Sequence, residues 1–510
     1  MIKSFRLSSE QNGFTFGGLV VKGASVTDFH TAYPGYAATS LLDGLRANEY
    51  SYLDAGGHVY LDYTGAGLAA DAQLRAHAAR VRDGCFGTPH SENPTSSAST
   101  RLVQETRAAV LAYFNAPADE YAVIFTPNAT GACRLVGEAY PFGSGSRLVL
   151  TDDNHNSANG IREFARARGA RTRYVPVRPP ELRGADDEIE EALARGGAPW
   201  GRAARRRRRG LFVFPAQSNF TGVQHPLSWV ELGHSRGYDV LLDAAAYVPA
   251  NRLDLSQVRP DFVPVSWYKV FGYPTGTGCL IARKEALGRL RRPWFSGGTI
   301  WAASVQGNWH KLAEDESAFE DGTLNFLSIP DIAVGLAWVG DIGIDLIHQR
   351  VMCLTGWLLG RLGGLRHENG RPLARIYGPC DTRARGGTVA FNFLDAHGEV
   401  IDERSVARDA NAAGISLRTG CFCNPGAGER AFTLTKRSVT GSLRGGLLHR
   451  NTRTVDEYLD LIGLPTGGAI RVSLGLASNL ADVERFLAFA EETYRDREPD
   501  REGLAPRIRC

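Results

Sequence analysis

The sequence predicts an α/β protein whose central sheet is mostly parallel and covered by helices on both faces. Two patterns indicate this fold class. Short apolar runs recur without polar alternation, which is typical of strands buried on both faces. Helix-like segments lie between several of these runs, because parallel strands require long crossover connections. The predicted strands are residues 123–127, 147–153, 172–177, 211–216, 239–244, 261–267 and 278–283.

The remaining elements indicate how the chain is organised. Helix-like segments follow two of the strands, at residues 156–168 and 227–236. A second α/β unit comprises helices over 332–362 and 481–494 and strands near 387–393 and 468–474. We therefore expect four parts, which are an N-terminal extension packing on the body (1–55), a large domain (56–330), a smaller C-terminal α/β domain (331–495) and a flexible tail (496–510).

The composition excludes several classes of protein. Of the 510 residues, 43% are hydrophobic and 22% charged, which indicates a globular chain and excludes a disordered or fibrous one. The net charge of +3 predicts neither a nucleic-acid nor a membrane partner, and we interpret the arginine run at 205–209 as a solvated loop. Without a long apolar segment or a signal-peptide core, we expect a cytoplasmic protein whose eight cysteines are thiols.

Lysine is scarce in this chain, and this limits any chemistry that needs an amine. The six lysines are Lys3, Lys22, Lys269, Lys284, Lys311 and Lys436. Only Lys269 follows a predicted buried strand and precedes a glycine-rich turn, in the sequence VSWYKVFGYPTGTG. A desolvated lysine loses its proton readily, which suits covalent bonding to a carbonyl carbon. Taken alone, Lys269 is also compatible with a surface loop.

Three further features follow predicted strands, so we expect them near Lys269 at the carboxyl edge of the sheet. Asp243 ends a strand and can be a helix cap, a ligand or the acid partner of a protonated ring nitrogen. The segment NATG at residues 128–131 opens a helix and forms a seat suited to a phosphate, although its threonine is also an ordinary N-cap. His155 can be a base, a ligand, a stacking surface or a structural histidine.

Two features of the second unit complete the pattern. The loop RTGCFCNP at residues 418–425 carries a C-x-C pair without the second pair that a zinc site needs, so we predict no metal. A cysteine on this loop near Arg418 suits an exposed nucleophilic thiol, and two buried inert thiols are the alternative. Arg471 lies within a predicted strand, where a substrate carboxylate would supply a bidentate partner.

Together these motifs resemble the pyridoxal 5'-phosphate (PLP)-dependent fold type I enzymes of aminotransferase class V, and among them the cysteine desulfurases. The resemblance covers about residues 60–494. The phrases YLDYTGAG, FGTPHSENPTSS, VIFTPNATGA, FPAQSNFTGVQHP, LLDAAAYVP and SLRTGCFCNPGA are similar to the desulfurase domain of molybdenum-cofactor sulfurases. The resemblance implies a large PLP-binding domain with a mostly parallel sheet and a smaller α/β domain.

The resemblance also implies a role for each site residue. Lys269 bonds PLP covalently and moves the substrate Cα proton, and Cys423 carries a persulfide, with Cys421 as the open alternative. The residues assigned to PLP are Lys269, Asp243 at the pyridinium nitrogen, His155 on the ring, Thr130, Ala129 and Ser266 at the phosphate, Asn219 beside the ring hydroxyl, and Gly298 and Thr299 in a loop that family homodimers lend to the partner's phosphate site. The residues assigned to the L-cysteine substrate are Arg471, Arg418 and Asn219.

The chain departs from most desulfurases in two places that molybdenum-cofactor sulfurases share. Ala246 replaces a glutamine, and Tyr268 replaces a histidine and becomes a candidate for proton transfer near sulfur. The resemblance predicts a cysteine desulfurase that acts through a PLP ketimine and an enzyme persulfide, releases L-alanine and passes sulfur to a molybdenum cofactor, a carrier protein or a biosynthetic intermediate. The alternatives are a C–S lyase or another class V enzyme of secondary metabolism, and a catalytically silent sulfur-relay scaffold.

Overall fold

The structure is a computed structural model that describes residues 26–89, 91–194, 209–434, 454–462, 464, 466–498 and 503–507. The strands are β1 (Val59–Tyr60), β2 (Tyr121–Thr126), β3 (Arg147–Thr151), β4 (Arg171–Val175), β5 (Gly210–Pro215), β6 (Tyr238–Asp243), β7 (Phe262–Ser266), β8 (Gly278–Arg283), β9 (Ile300–Ser304), β10 (Trp309–Leu312), β11 (Ala374–Tyr377), β12 (Thr388–Phe393), β13 (Ile415–Ser416), β14 (Arg418–Gly420) and β15 (Ala469–Ser473).

Helices connect and cover these strands. Two short 3-10 helices span Pro34–Thr39 and Glu316–Phe319. The α-helices are α1 (Val26–Ala32), α2 (Leu41–Glu49), α3 (Ser51–Ala55), α4 (Asp71–Asp83), α5 (Pro94–Tyr113), α6 (Ala129–Ala139), α7 (Asn156–Asn159), α8 (Ile161–Ala167), α9 (Asp186–Leu193), α10 (Trp229–Ser235), α11 (Trp267–Phe271), α12 (Lys284–Leu287), α13 (Pro330–Ile342), α14 (Ile344–Gly364), α15 (Glu403–Ala412), α16 (Pro425–Ala431), α17 (Val455–Ile462) and α18 (Leu480–Tyr494). No helix in these ranges is long and apolar enough to cross a lipid bilayer.

A seven-stranded sheet forms the centre of the molecule and confirms the predicted fold class. Its order is β2-β8-β7-β6-β5-β3-β4, and β8 alone runs antiparallel to its two neighbours. Successive side chains of β5 enter two different apolar clusters, with Phe212 and Phe214 in one and Leu211 and Val213 in the other. The sheet is therefore covered on both faces, which explains why its strands carry unbroken apolar runs.

A second sheet lies in the C-terminal part of the chain and has the order β11-β12-β15-β14, with every pair antiparallel. The first strand of the chain also joins this region, because β1 pairs in parallel with β13. Asp62 continues the contact through a bridge to Ser473 in β15. Residues 59–62 are thereby connected to the region of the sheet that carries Arg471. The domain boundaries at residues 56, 331 and 496 stay predictions.

Some elements differ from the sequence-based expectation. The helix predicted over 332–362 is two helices, because Gly343 between α13 and α14 has a φ of +90° and interrupts the helical hydrogen bonding. The helix predicted over 156–168 is also divided, into α7 and α8. Residues 26–55, which show no clear periodicity, form short helices. Residues 1–25, the arginines at 205–208 and parts of the tail lie outside the described residues.

Candidate active site

The carboxyl ends of the parallel strands surround a cavity of about 140 Å³. This is the edge of an open α/β sheet where ligands bind. The predicted site residues that line it are Ala129, Thr130, His155, Asn219, Asp243, Ser266, Tyr268 and Lys269. Residues that the prediction omitted also line it, and these are Asn128, Ser157, Pro215, Gln217, Ala245 and Ala246. Most of the predicted site is therefore gathered around one cavity.

An anion seat lies where α6 begins. The Asn128 side chain accepts a hydrogen bond from the Gly131 N–H (2.9 Å) and caps the helix. The Ala129 N–H donates to Ser266 Oγ at 3.0 Å, which joins α6 to the end of β7. The hydroxyls of Thr130 and Ser157 lie 2.7 Å apart. Hydroxyls at the start of a helix can bind a phosphate, because the helix dipole and free N–H groups favour an anion there.

Lys269 lies in α11, directly after β7, with its side chain against the cavity. Burial lowers the pKa of its amine, the charge of Asp243 opposes this shift, and Arg471 lowers the pKa further. A lower pKa increases the neutral, nucleophilic fraction of the amine. Among the described lysines, Lys284 and Lys311 lie elsewhere, bonded to Ala118 O and to Glu314.

The turn after Lys269 is closely packed against residues 67–69, which lie between β1 and α4. Gly272 ends α11 with a φ of +75°, and a Cβ there would lie 2.2 Å from the backbone carbon of Leu68. The Gly67 N–H donates to the Tyr268 carbonyl at 2.9 Å. Only glycine suits position 272, because both its conformation and its surroundings exclude a side chain. These contacts fix the backbone that carries Lys269 and Tyr268.

Asp243 and His155 are two ionisable groups that line the cavity together with Lys269. Asp243 ends β6, is buried, and accepts a hydrogen bond from the Ala245 N–H at 3.0 Å. The Ser157 N–H donates to Nδ1 of His155 at 3.1 Å, so this nitrogen carries no proton in the neutral ring. Burial, together with the charge of Lys269, lowers the pKa of His155 to about 4. The imidazole is therefore neutral near pH 7 and suits stacking on a planar ligand.

Arg471 has a protein partner that the sequence analysis did not predict. Asp62 Oδ1 accepts a hydrogen bond from Arg471 Nη2 at 2.7 Å, and Oδ2 accepts two from Arg418, at 2.7 and 3.0 Å. Arg471 Nη1 donates to the Asn219 carbonyl at 3.0 Å. Its Nε is buried and has no hydrogen-bond partner within the described part of the chain. One Arg471 donor is thus left without an acceptor, although protein atoms enclose it.

The loop between β14 and α16 presents the predicted nucleophile. Cys423 is exposed, and both it and Phe422 have left-handed φ values, of +53° and +54°. The loop is tied to the cavity wall, because Asn219 Nδ2 donates to the Phe422 carbonyl (2.8 Å) and the Asn156 N–H to the Cys423 carbonyl (2.7 Å). Cys421 is partly buried. The thiol of Cys423 therefore lies on a loop that contacts the cavity but is open to solvent.

Five predicted residues do not line this cavity. Arg418 lies in β14, Arg471 in β15 and Cys423 in the loop after β14, whereas Gly298 and Thr299 lie in a separate turn. Gly298 has a φ of +86°, and Thr299 is buried within the turn that precedes β9. The Thr299 hydroxyl donates to the Ser296 carbonyl at 2.8 Å and accepts from the Ser296 N–H at 2.9 Å. The predicted role of Gly298 and Thr299 at the phosphate of a second subunit stays a prediction.

Comparison with known proteins identifies the family. Residues 59–486 match the family described as aminotransferase class-V. The chain belongs to the aminotransferase class-V family. This confirms the resemblance on which the predicted site is based. The aminotransferase class-V match extends from β1 into α18, so it includes both sheets and every cavity residue named above.

The chain is similar to proteins named molybdenum cofactor sulfurase. It is 36% identical to the one from Homo sapiens over 482 residues, with 90% of this chain and 52% of the relative aligned. It is 35% identical to the one from Solanum lycopersicum over 503 residues, which cover 93% of this chain and 60% of the relative. The chain thus spans a little more than half the length of these curated relatives.

A solved structure supports the fold. The apo cysteine desulfurase from Thermococcus onnurineus NA1 superposes with a TM-score of 0.70 and covers 89% of this chain and 98% of that one. The two sequences are 22% identical, so the likeness establishes the fold. The predicted class V fold with a mostly parallel sheet is confirmed.

Proposed function

We propose that this chain is a PLP-dependent cysteine desulfurase. The observation that carries the proposal is that Lys269, Asp243 and the anion seat of α6 line the same cavity. PLP needs an amine for its aldehyde, an acid for its ring nitrogen and donors for its phosphate. Each of these groups is present, and the remaining wall offers the neutral imidazole of His155. The donor set therefore fits this cofactor.

Each residue has a separate task toward the cofactor. The Lys269 amine, with its lowered pKa, would hold the aldehyde of the cofactor and would accept the substrate Cα proton. The Asp243 carboxylate would keep the ring nitrogen protonated, and Thr130, Ser266 and the start of α6 would hold the phosphate. Bound PLP supplies an electron sink that makes loss of the Cα proton and cleavage of the Cβ–S bond feasible.

The substrate is an amino acid whose carboxylate reaches Arg471. The Nε of this buried guanidinium has no protein acceptor, and a carboxylate would satisfy it once the side chains that enclose it move aside. Asp62 and the Asn219 carbonyl hold the other guanidinium nitrogens, so the plane of the group is fixed before substrate binds. A positioned arginine selects α-amino acids by their carboxylate, and L-cysteine is the proposed substrate.

Cys423 is the proposed sulfur acceptor. Its thiolate attacks the substrate sulfur, so an S–S bond forms, the Cβ–S bond breaks, and the carbon keeps the electron pair of the broken bond. Protonation of Cβ, for which Tyr268 in the cavity lining is the candidate donor, and return of a proton from Lys269 to Cα then complete L-alanine. The exposure of Cys423 suits the next step, in which the persulfide passes its outer sulfur to an acceptor.

The relatives named above support sulfur transfer and suggest the acceptor. The proteins from Homo sapiens and Solanum lycopersicum are named molybdenum cofactor sulfurase, so a molybdenum cofactor is one candidate acceptor. A carrier protein and a biosynthetic intermediate are the other two candidate acceptors. Sulfur transfer from labelled L-cysteine to each acceptor class, measured side by side, would identify which one this chain uses in the cytoplasm, where we expect it.

A product assay tests the proposed reaction. The purified chain, loaded with PLP and given L-cysteine and a thiol reductant, should release alanine and sulfide in equal amounts. Pyruvate in place of alanine would instead identify a C–S lyase, and no turnover would leave a sulfur-relay scaffold. Lys269→Ala should lose both the visible absorbance of bound PLP and turnover. Lys284→Ala is the control and should keep both, because Lys284 is remote from the cavity.

The nucleophile is tested by a pair of cysteine variants. Cys423→Ser should keep the absorbance of bound PLP but lose persulfide formation, detected by alkylation and mass spectrometry. Cys421→Ser, two residues away on the same loop, should keep persulfide formation. The reverse result would assign the persulfide to Cys421.

The proposed enzyme is a homodimer. The β9–β10 hairpin exposes large apolar side chains, with Trp301 71% and Val305 98% accessible, directly after Gly298 and Thr299. Exposed apolar clusters of this kind mark contact surfaces. Light scattering should therefore give twice the chain mass of 55.3 kDa, and Trp301→Glu should shift the population toward the monomer.

A further inference from the structure

Gln217 is a buried polar residue to which the proposed mechanism gives no task. It follows β5, is 4% exposed, and lines the active-site cavity. It also lines a neighbouring cavity of about 30 Å³, which shares Ala246 and Lys269 as wall residues. The Gln217 side chain therefore lies between the two cavities, beside Lys269. The orientation of its amide determines whether a ligand meets the donor Nε2 or the acceptor Oε1.

The orientation of the amide follows from a chain of hydrogen bonds that begins at the backbone. The Tyr247 carbonyl can only accept, so the Asn251 atom 2.8 Å away is the donor Nδ2. Asn251 Oδ1 must then accept, and it does so from Gln224 Nε2 at 3.0 Å. Both donors also point at Gln217 Oε1, Gln224 Nε2 at 3.1 Å and Asn251 Nδ2 at 3.4 Å. Oε1 of Gln217 is therefore the acceptor, and Nε2 is turned away from these partners.

The two Nε2 hydrogens are left for a ligand. Across the described residues, no hydrogen bond from Gln217 Nε2 to the protein is present, and the atom is not enclosed by protein. Gly386 restricts the amide, because a Cβ there would lie 2.1 Å from Oε1 and 2.7 Å from Nε2. A donor that is held in place at a cavity wall and has no protein acceptor is suited to bind an acceptor atom of a ligand.

We propose that Gln217 Nε2 donates a hydrogen bond to an oxygen anion bound in this cavity, either the ring oxygen of PLP or the carboxylate of the amino-acid substrate. The inference rests on the proposed function, because both anions belong to it. A neutral amide suits this task, since it stabilises an anion without adding a positive charge that would lower the pKa of Lys269 further. Gln217 would thus be a ligand-binding residue.

The first test needs cofactor but no substrate. The PLP-loaded protein is titrated from acid to alkaline pH, and the midpoint of its visible absorbance change is measured for the wild type, Gln217→Glu and Gln217→Met. If Nε2 binds the ring oxygen, both variants should raise the midpoint by about one pH unit, because the oxygen anion loses a donor that stabilised it. Gln349→Glu is the matched control, since Gln349 donates to the Gly35 carbonyl away from both cavities.

The second test measures turnover and separates the two anions. If Nε2 binds the substrate carboxylate, the midpoint stays unchanged and the KM for L-cysteine rises about tenfold, with kcat within about twofold of the wild type. A midpoint and a KM that both equal those of Gln349→Glu would overturn the proposal and leave Gln217 a structural residue. If Gln217→Glu does not fold, the midpoint and the KM of Gln217→Met test the proposal in the same way.

The outcome for Gln217 is distinguishable from the outcome for the proposed function. A wild-type chain that binds PLP but makes no alanine contradicts the desulfurase reaction, and in that case the midpoint alone decides, so an unchanged midpoint overturns the role of Gln217. A wild-type chain that binds no PLP overturns both.

Discussion

Asp62 is the residue that connects the two arginines of the site. Its two carboxylate oxygens accept from different guanidinium groups, Oδ1 from Arg471 and Oδ2 from Arg418. Arg471 belongs to the proposed substrate site, and Arg418 begins the strand that leads to the thiol loop. A single carboxylate therefore positions the carboxylate-binding group and the base of the sulfur-accepting loop together.

Replacing Asp62 should expose this dependence. Asp62→Asn leaves the guanidinium of Arg471 buried without its counter-charge, so we expect the free energy of unfolding to fall by about 3 kcal/mol. Urea denaturation measures it. Asp83→Asn, which breaks an exposed pair with Arg82, should leave the unfolding midpoint unchanged. Equal midpoints for the two variants would contradict the buried pairing.

The histidine of the site makes stability depend on pH. The pKa of His155 in the folded chain is about 4, below the roughly 6.5 of an unfolded histidine, so the unfolded state binds the proton first as pH falls. This contribution is fully present above pH about 6.5 and is lost toward pH 4, up to about 3 kcal/mol. His155→Asn keeps a side-chain acceptor for the α7 cap but has no group that titrates in this range. Without PLP, its free energy of unfolding should therefore fall less than that of the wild type when the pH is lowered from about 6.5 to 4.

Which residues the sequence could predict depends on how local their signals are. Lys269, Asp243 and Thr130 directly follow apolar strands, and the carboxyl ends of parallel strands meet at one edge, so short stretches of sequence were sufficient to place them. Asp62 was missed because its partners lie more than 350 residues away along the chain. Gln217 was missed because its importance depends on the orientation of its amide, which Asn251 and Gln224 determine through tertiary contacts.

Among the elements, the loop that carries Cys423 is held in place by the side chain of Asn424. Asn424 is fully buried, and its Nδ2 donates to the Asp153 carbonyl (2.7 Å) and to Asn219 Oδ1 (2.8 Å). Its Oδ1 caps α16 by accepting from the Ala427 N–H. The loop that carries Cys423 is thereby fixed at both the cavity wall and the following helix.

Removing this anchor should separate sulfur transfer from cofactor binding. With Asn424→Ala we expect persulfide formation on Cys423 to slow about tenfold or more, because the thiol is no longer held in position, while the absorbance of bound PLP persists. Rapid-quench alkylation measures the rate. Asn479→Ala removes the N-cap of α18 away from the loop and serves as the control; if it slowed transfer equally, general destabilisation would be the cause.

Strands were easier to predict than helix boundaries. Six strands of the large sheet are almost entirely buried and the edge strand β4 is partly exposed, and the predicted segments match all seven to within about two residues at each end. The region 332–362 is mostly apolar, and its periodicity alone did not reveal that Gly343 has a positive φ between α13 and α14. The four antiparallel strands of the second sheet were predicted only in part, since β11 and β14 are short.

At the scale of the whole molecule, the N-terminal segment is part of the body. Arg350 in α14 is buried, and it donates to Thr39 Oγ1 at 2.6 Å and to both oxygens of Asp43 at 2.7 and 2.9 Å. Arg46 in α2 similarly binds Asp482 at 2.6 Å. These ion pairs connect residues 26–55 to helices that cover the second sheet.

Breaking one of these contacts should loosen the segment. Arg350→Met keeps the apolar stem but removes every donor, so we expect a loss of about 2 kcal/mol, given that Asp43 is half exposed. Limited proteolysis should then cut within residues 26–55 before the rest of the chain. Arg252→Met, in an exposed pair with Asp345, should not change the cutting rate; an identical pattern for both variants would contradict the anchoring role.

The pairing of β1 with β13 has a consequence for synthesis of the chain. Val59 lies opposite Ile415, and a ribosome that adds about 5–20 residues per second needs roughly 20–70 s to make the stretch between them. All seven strands around Lys269 and Asp243 have left the ribosome long before Arg471 does. The half of the site that we propose for the cofactor is therefore completed first in time, and the guanidinium that we propose for substrate binding is added later.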